Sequence, residues 1–93
     1  MTQNELILFE MAKSSTIAFL NEILAAPDLP KEYEERKRHE WILPQVKAAL
    51  TWEELTTAVE RNVDGEYCES AWQYLWQNMM YVILKRYTDG MRR

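Results

Sequence analysis

The side chains that most often perform chemistry are scarce in this chain. There is one histidine, His39, and one cysteine, Cys68, and they stand at least a helix apart in sequence. The converging nitrogen and sulfur ligands of a zinc site are therefore missing. Asp64, Glu66 and Glu69 gather oxygen ligands around Gly65, but without the alternating ligand positions of a calcium loop. No metal and no cofactor is expected. Nucleophilic catalysis needs an activated side chain with a base in reach. Cys68 falls on an apolar helical stripe and reads as a small buried hydrophobe. His39 sits in a charged run, where it reads as a solvent-exposed partner of Glu35 with nothing around it to orient a reaction. The only glycines, Gly65 and Gly90, are too far apart to form a phosphate-cradling loop. These residues predict a protein that is not an enzyme.

What the chain has in abundance is side chains that bind. Cys68, Trp72, Leu75, Met79 and Val82 recur at helical spacing, and beside them run Trp76, Met80, Ile83 and Tyr87. One stripe is enough to pack a helix. A helix apolar around much of its circumference is either the centre of a core or the bearer of a surface for another chain. Tyr, Trp and Met are enriched at such surfaces because they bury large areas and adapt to a partner's shape. Trp72, Trp76, Met80, Tyr81 and Tyr87 are therefore the expected anchors of a protein interface, and a self-complementary patch there would give a two-fold homodimer. The stretch that also holds Glu54, Asp64 and Glu69 is locally acidic, opposed only by Arg61. Within it Glu53, Glu60 and Glu66 are the expected rim charges, able to steer a basic partner. The plainer reading is solubility charge, some of it placed at helix N-termini where carboxylates are favoured.

Two other classes of partner are weighed against that one. Arg36, Lys37 and Arg38 form a basic triplet suited to a nucleic-acid-binding regulator, but Glu32, Glu34, Glu35 and Glu40 surround it and oppose phosphate contact. The formal charge of −4 and pI near 5.0 likewise disfavour unspecific attraction to nucleic acid or anionic lipid. The longest uncharged run, Ser70 to Leu84, falls short of the ~20 residues that span a bilayer. The polar side of that helix is too weakly basic for a membrane surface, despite Lys85, Arg86, Arg92 and Arg93 nearby. A lone cysteine and the lack of a basic start followed by an apolar run point to a reducing, cytoplasmic setting. A small acidic inhibitor, of the kind a phage or plasmid would direct at a host defence complex, is compatible with this size and charge. The expected function is thus a non-enzymatic protein-binding module: a homodimeric regulatory subunit, an inhibitor or an adaptor.

The elements that must position these residues are helices. Two glycines and three prolines leave little room for hairpins in a background of good helix formers. Thr2 with Glu5, and Thr51 with Glu54, are capping-box pairs that open the first and third helices. Ser14, Ser15 and Thr16 are placed to hydrogen-bond back one turn. Pro27 to Pro30 ends the first helix and starts a highly charged second one, in which Pro44 predicts a kink or a restart. Asp64-Gly65 is the turn into the last helix, which is expected to begin between Glu66 and Ser70 and to stop at Gly90 in a left-handed cap. The prediction is one all-α domain over residues 1–93, a compact bundle of four helices with the C-terminal helix central.

Overall fold

The computed structural model describes residues 2–27, 34–61, 66–67 and 71–91. It has four helices and, among the described residues, no strand: α1 (Gln3–Ala25), α2 (Glu34–Ala48), α3 (Trp52–Glu60) and α4 (Ala71–Met91). The all-α bundle predicted from composition is the observed fold. Pro30, Glu32, Asp64, Gly65, Cys68, Glu69, Arg92 and Arg93, and the roles expected of them, lie outside the described residues.

Each helix start follows from its capping residue. The Thr2 hydroxyl accepts from the Glu5 amide at 3.2 Å and the Thr51 hydroxyl accepts from the Glu54 amide at 3.1 Å, each satisfying a donor that has no partner inside the helix. At α3 the reciprocal bond lands one residue upstream of the usual place, with the Glu54 carboxylate accepting from the Leu50 amide at 2.6 Å. In α1, Phe9, Ala12, Thr16 and Leu20 recur every three to four residues and are buried. Leu6, three residues before Phe9, is exposed. In α2 the same spacing buries His39, Ile42 and Val46.

Pro44 does not divide α2, which is a single helix through it. Pro44 and Glu40 both lie on the exposed side, where water can satisfy the Glu40 carbonyl that the missing N–H would have bonded. Gly90 is likewise helical, one residue inside the end of α4, and takes no left-handed cap.

Three helix ends are closed by cations from other helices. Lys13 on α1 donates from Nζ to the Ala49 carbonyl at 2.8 Å, just past α2. Arg36 on α2 donates from Nη2 to Leu24 near the end of α1 at 3.0 Å, and Arg38 donates from Nη2 to Val59 near the end of α3 at 2.8 Å. Neither α1 nor α3 has a basic residue in its own last turn. The borrowed cations pair the last-turn carbonyls, complement the negative ends of the helix dipoles, and fix how the helices lie.

Those bonds also set the register. Pairing of residue 36 with 24 and of 13 with 49 makes α2 antiparallel to α1 and ends its cover near Lys13. Trp76 bonds Thr16 and Tyr87 bonds Asn4, so α4 runs antiparallel along the whole of α1. The helix that touches both α2 and α4 is therefore α1, with α3 packed on α2. The predicted centrality of α4 holds only for its first two turns, where Trp72, Gln73 and Trp76 are buried. Beyond them α4 and the N-terminal half of α1 extend as a two-helix arm, in a molecule measuring 47 × 27 × 20 Å. Among the described residues no helix is long and apolar enough to cross a membrane.

Candidate functional site

The aromatic residues of α4 divide between two environments. The Trp76 indole N–H donates to Thr16 Oγ1 at 3.0 Å, and that hydroxyl in turn donates to the Ala12 carbonyl at 2.7 Å. The back-bond expected from the Ser14-Ser15-Thr16 cluster is thus made, by its one buried member, and it orients the oxygen that receives the indole. A buried Trp N–H is commonly paired in this way, whereas the Trp72 indole N–H has no partner among the described residues. Trp72 stacks on Phe19, with centroids 6.1 Å apart and planes at 21°, and lies 5.1 Å from the His39 ring. Both tryptophans are 5% exposed. Trp72 and Trp76 are core residues and not the surface anchors predicted, because α1 and α2 together close over this level of α4.

His39 is corrected in the same way. It is 4% exposed and packs against Trp72, away from the solvent-facing position expected of it. Position 39 lies three before Ile42 and seven before Val46, so its place on the buried stripe was readable, but the charged neighbours masked it.

The second environment starts at Met80. Met80, Ile83 and Tyr87 are half-buried along α1, and the Tyr87 hydroxyl donates to the Asn4 carbonyl at 3.1 Å. Tyr87 therefore ties down the end of the arm. Tyr81 is 66% exposed and Leu84 is 51% exposed. These two flank a cleft of 340 Å³ formed with Leu8, Ala12, Trp52, Met80 and Ile83, which presents apolar atoms only. Trp52 reaches it from the first turn of α3, held edge-on against Phe9 at 5.7 Å and 72°. The cleft lies where α2 has stopped near Lys13 and Trp52 of α3 reaches the junction of α1 and α4.

Of the five predicted anchors, then, Met80 and Tyr81 line one open surface, Tyr87 braces it, and Trp72 and Trp76 are buried in the core nearer the start of α4. Ile83, read from sequence as part of the second apolar stripe, completes the surface together with Leu8, Trp52 and Leu84, which were not singled out as part of a binding surface. Leu84 had a signal, standing four residues after Met80 and three after Tyr81. Leu8 and Trp52 had none, since their meeting is purely tertiary.

The acidic residues do not form a rim. Glu53 is exposed on the first turn of α3 and, with Trp41, Glu54 and Arg61, borders a shallow groove of 870 Å³ between α2 and α3. Glu60 is half-buried two turns away, about 10 Å along the helix. Glu66 is exposed next to Tyr67, whose backbone bridges to Arg61 and whose ring lies 5.9 Å beneath the Arg61 guanidinium. The Tyr67 hydroxyl accepts from Gln73 Nε2 at 3.0 Å, which anchors this connection to α4.

The basic triplet is split as well. Arg36 and Arg38 spend their guanidinium groups on backbone carbonyls, and Arg36 also pairs with Glu40 at 3.3 Å. Only Lys37 is exposed. No group of three metal-ligating side chains occurs among the described residues. No family model, curated protein or solved structure matches this chain.

Proposed function

We propose that this protein is a non-enzymatic protein-interaction module whose docking surface is the open flank of the α1/α4 arm, centred on Tyr81 and Leu84. The observation behind the reading is the pairing of two exposed large apolar side chains with an apolar cleft beside them. Large solvent-facing apolar features of this kind are unusual on monomers and common where proteins meet. The cleft has none of the polar groups that orient a small molecule, and its volume is at the lower end of the ~300–1,000 Å³ typical of ligand pockets. It suits an apolar side chain offered by a protein. A regulatory subunit, an inhibitor and an adaptor all work by occupying a surface in this way.

A photo-crosslinking residue placed at Tyr81, in the native cell, tests the reading, with the exposed Lys47 on α2 as control. A discrete protein adduct at position 81 that is absent at position 47 is expected. No adduct at 81, or the same adducts at both positions, overturns it.

A further inference from the structure

We propose that the groove between α2 and α3 is a second binding site, which takes an extended peptide segment carrying a basic side chain at one end and a carboxylate four residues away. The groove shares no lining residue with the α1/α4 cleft. Its lining includes Ala48, Ala49 and Ala58, whose short side chains leave room for an apolar residue of the occupant within the 870 Å³ hollow. Gln45 on α2 and Thr57 on α3 are exposed along it and offer hydrogen bonds to a bound backbone.

The charges of this groove are sorted along its length. A short connection joins α2 to α3, and Arg38 bonds the Val59 carbonyl, so the two helices run antiparallel. Glu53 and Glu54 therefore stand at the end where the chain turns, and Arg61 stands with Trp41 at the other end. The Glu54 carboxylate is engaged by the Leu50 amide. Glu53 is exposed, and neither it nor Arg61 makes an ion pair among the described residues. The Arg61 guanidinium lies over the Tyr67 ring at 5.9 Å, a contact with the ring face that leaves N–H groups at the edge of the fork for an anion.

Positions 53 and 61 are about 12 Å apart along the helix. A single zwitterionic amino acid cannot span them. In an extended chain, side chains four residues apart point the same way and stand about 13 Å from one another, which matches this separation. The residue midway between them faces the groove as well and meets the alanines. A polyanion such as a nucleic acid strand would be attracted by Arg61 and opposed by Glu53 and Glu54, and a polycation the reverse. A segment with one charge of each sign is matched at both ends.

The test is a titration of the intact, isotope-labelled chain, followed by NMR, with acetyl-Arg-Thr-Val-Thr-Asp-amide and with its reversed sequence, acetyl-Asp-Thr-Val-Thr-Arg-amide. Both are needed because the groove sets the separation of the charges and not the direction of the backbone. The tighter of the two is expected to shift the Trp41 indole signal and to bind about tenfold more tightly than acetyl-Gln-Thr-Val-Thr-Asn-amide, the gain from two exposed ion pairs. Glu53→Lys and Arg61→Glu are each expected to remove that advantage. The double variant is expected to regain it with the opposite sequence, since its groove holds the same charges in reversed order. Circular dichroism establishes that each variant keeps its helices, and where a reversal unfolds the chain, Glu53→Gln or Arg61→Gln replaces it with an expected loss of about threefold. No binding at millimolar peptide, equal binding of charged and neutral peptides, shifts that bypass Trp41, or indifference to these substitutions overturns the proposal. Its failure leaves the α1/α4 surface in place, because that surface is tested separately by crosslinking at position 81.

Discussion

The two halves of α4 both carry large apolar side chains and differ in how far their inner face is covered. At Trp72, Gln73 and Trp76 that face is sealed, although Tyr74 and Leu75 on the outer side are exposed, and from Met80 to Leu84 it keeps an open flank. The difference lies in the neighbours. At the level of Trp76 both α1 and α2 are present, whereas past Lys13 of α1 the second helix has ended and the Trp52 ring of α3 reaches across. A helix's own apolarity thus sets how much surface it could bury, and the length of the helices beside it sets how much it does.

The change expected to break that contrast most forcefully is Trp76→Ala. Removing a buried indole costs about 4 kcal/mol through lost burial and the cavity left behind, and it also strips the Thr16 hydroxyl of its donor. Urea unfolding followed by far-ultraviolet circular dichroism should register a loss of this order in the isolated chain. A loss below about 1 kcal/mol would fall within the range of surface substitutions and return Trp76 to the exposed flank.

Thr16→Val separates the hydrogen bond from the packing. Valine keeps the shape of threonine but cannot accept from Trp76, leaving a buried indole N–H without a partner. A cost of about 2 kcal/mol follows from that stranded donor. Thr16→Ser, which keeps the oxygen, is expected to recover most of it in the same titration. If Thr16→Val costs nothing while Thr16→Ser is destabilising, the hydroxyl contributes nothing and the methyl packing alone matters.

These residues also mark how far the sequence could be read. Helix starts were legible at Thr2 and Thr51 because a cap is a local bond between residues three apart. The apolar stripes of α4 were legible for the same reason, periodicity being a property of one helix. What periodicity cannot reveal is which part of a stripe another helix will cover. That depends on where α2 ends relative to α1, fixed by contacts such as Lys13 with Ala49, 36 residues apart. Trp72 and Trp76 were misassigned to the surface on that account. The exposed surface itself was half visible: Met80 and Tyr81 belong to α4, but Leu8 and Trp52 arrive from other helices.

The basic triplet shows the same limit and supplies a smaller test. Arg38→Met keeps the aliphatic stem and removes the donor to the Val59 carbonyl. A loss of about 1.5 kcal/mol is expected, as for a hydrogen bond from a charged donor. Lys37→Met, next in sequence and exposed, should stay within about 0.5 kcal/mol of wild type. Equal effects of the two substitutions in thermal or urea unfolding would mean that the triplet acts only through its net charge and not by closing a helix end.

The smallest effect on the isolated chain is expected from Tyr81→Ser, five residues after Trp76. Its ring is largely in solvent, so unfolding at low concentration should shift by no more than about 0.5 kcal/mol. The same substitution gains its meaning when a partner is added. Association stabilises whatever state binds, so the melting temperature of a chain that docks through Tyr81 increases with the concentration of the protein crosslinked at position 81, and the variant loses that increase. Two tryptophans and one tyrosine on a single helix would then be told apart by one titration with that partner: the tryptophans hold the fold at every partner concentration, and the tyrosine matters only when the partner is present.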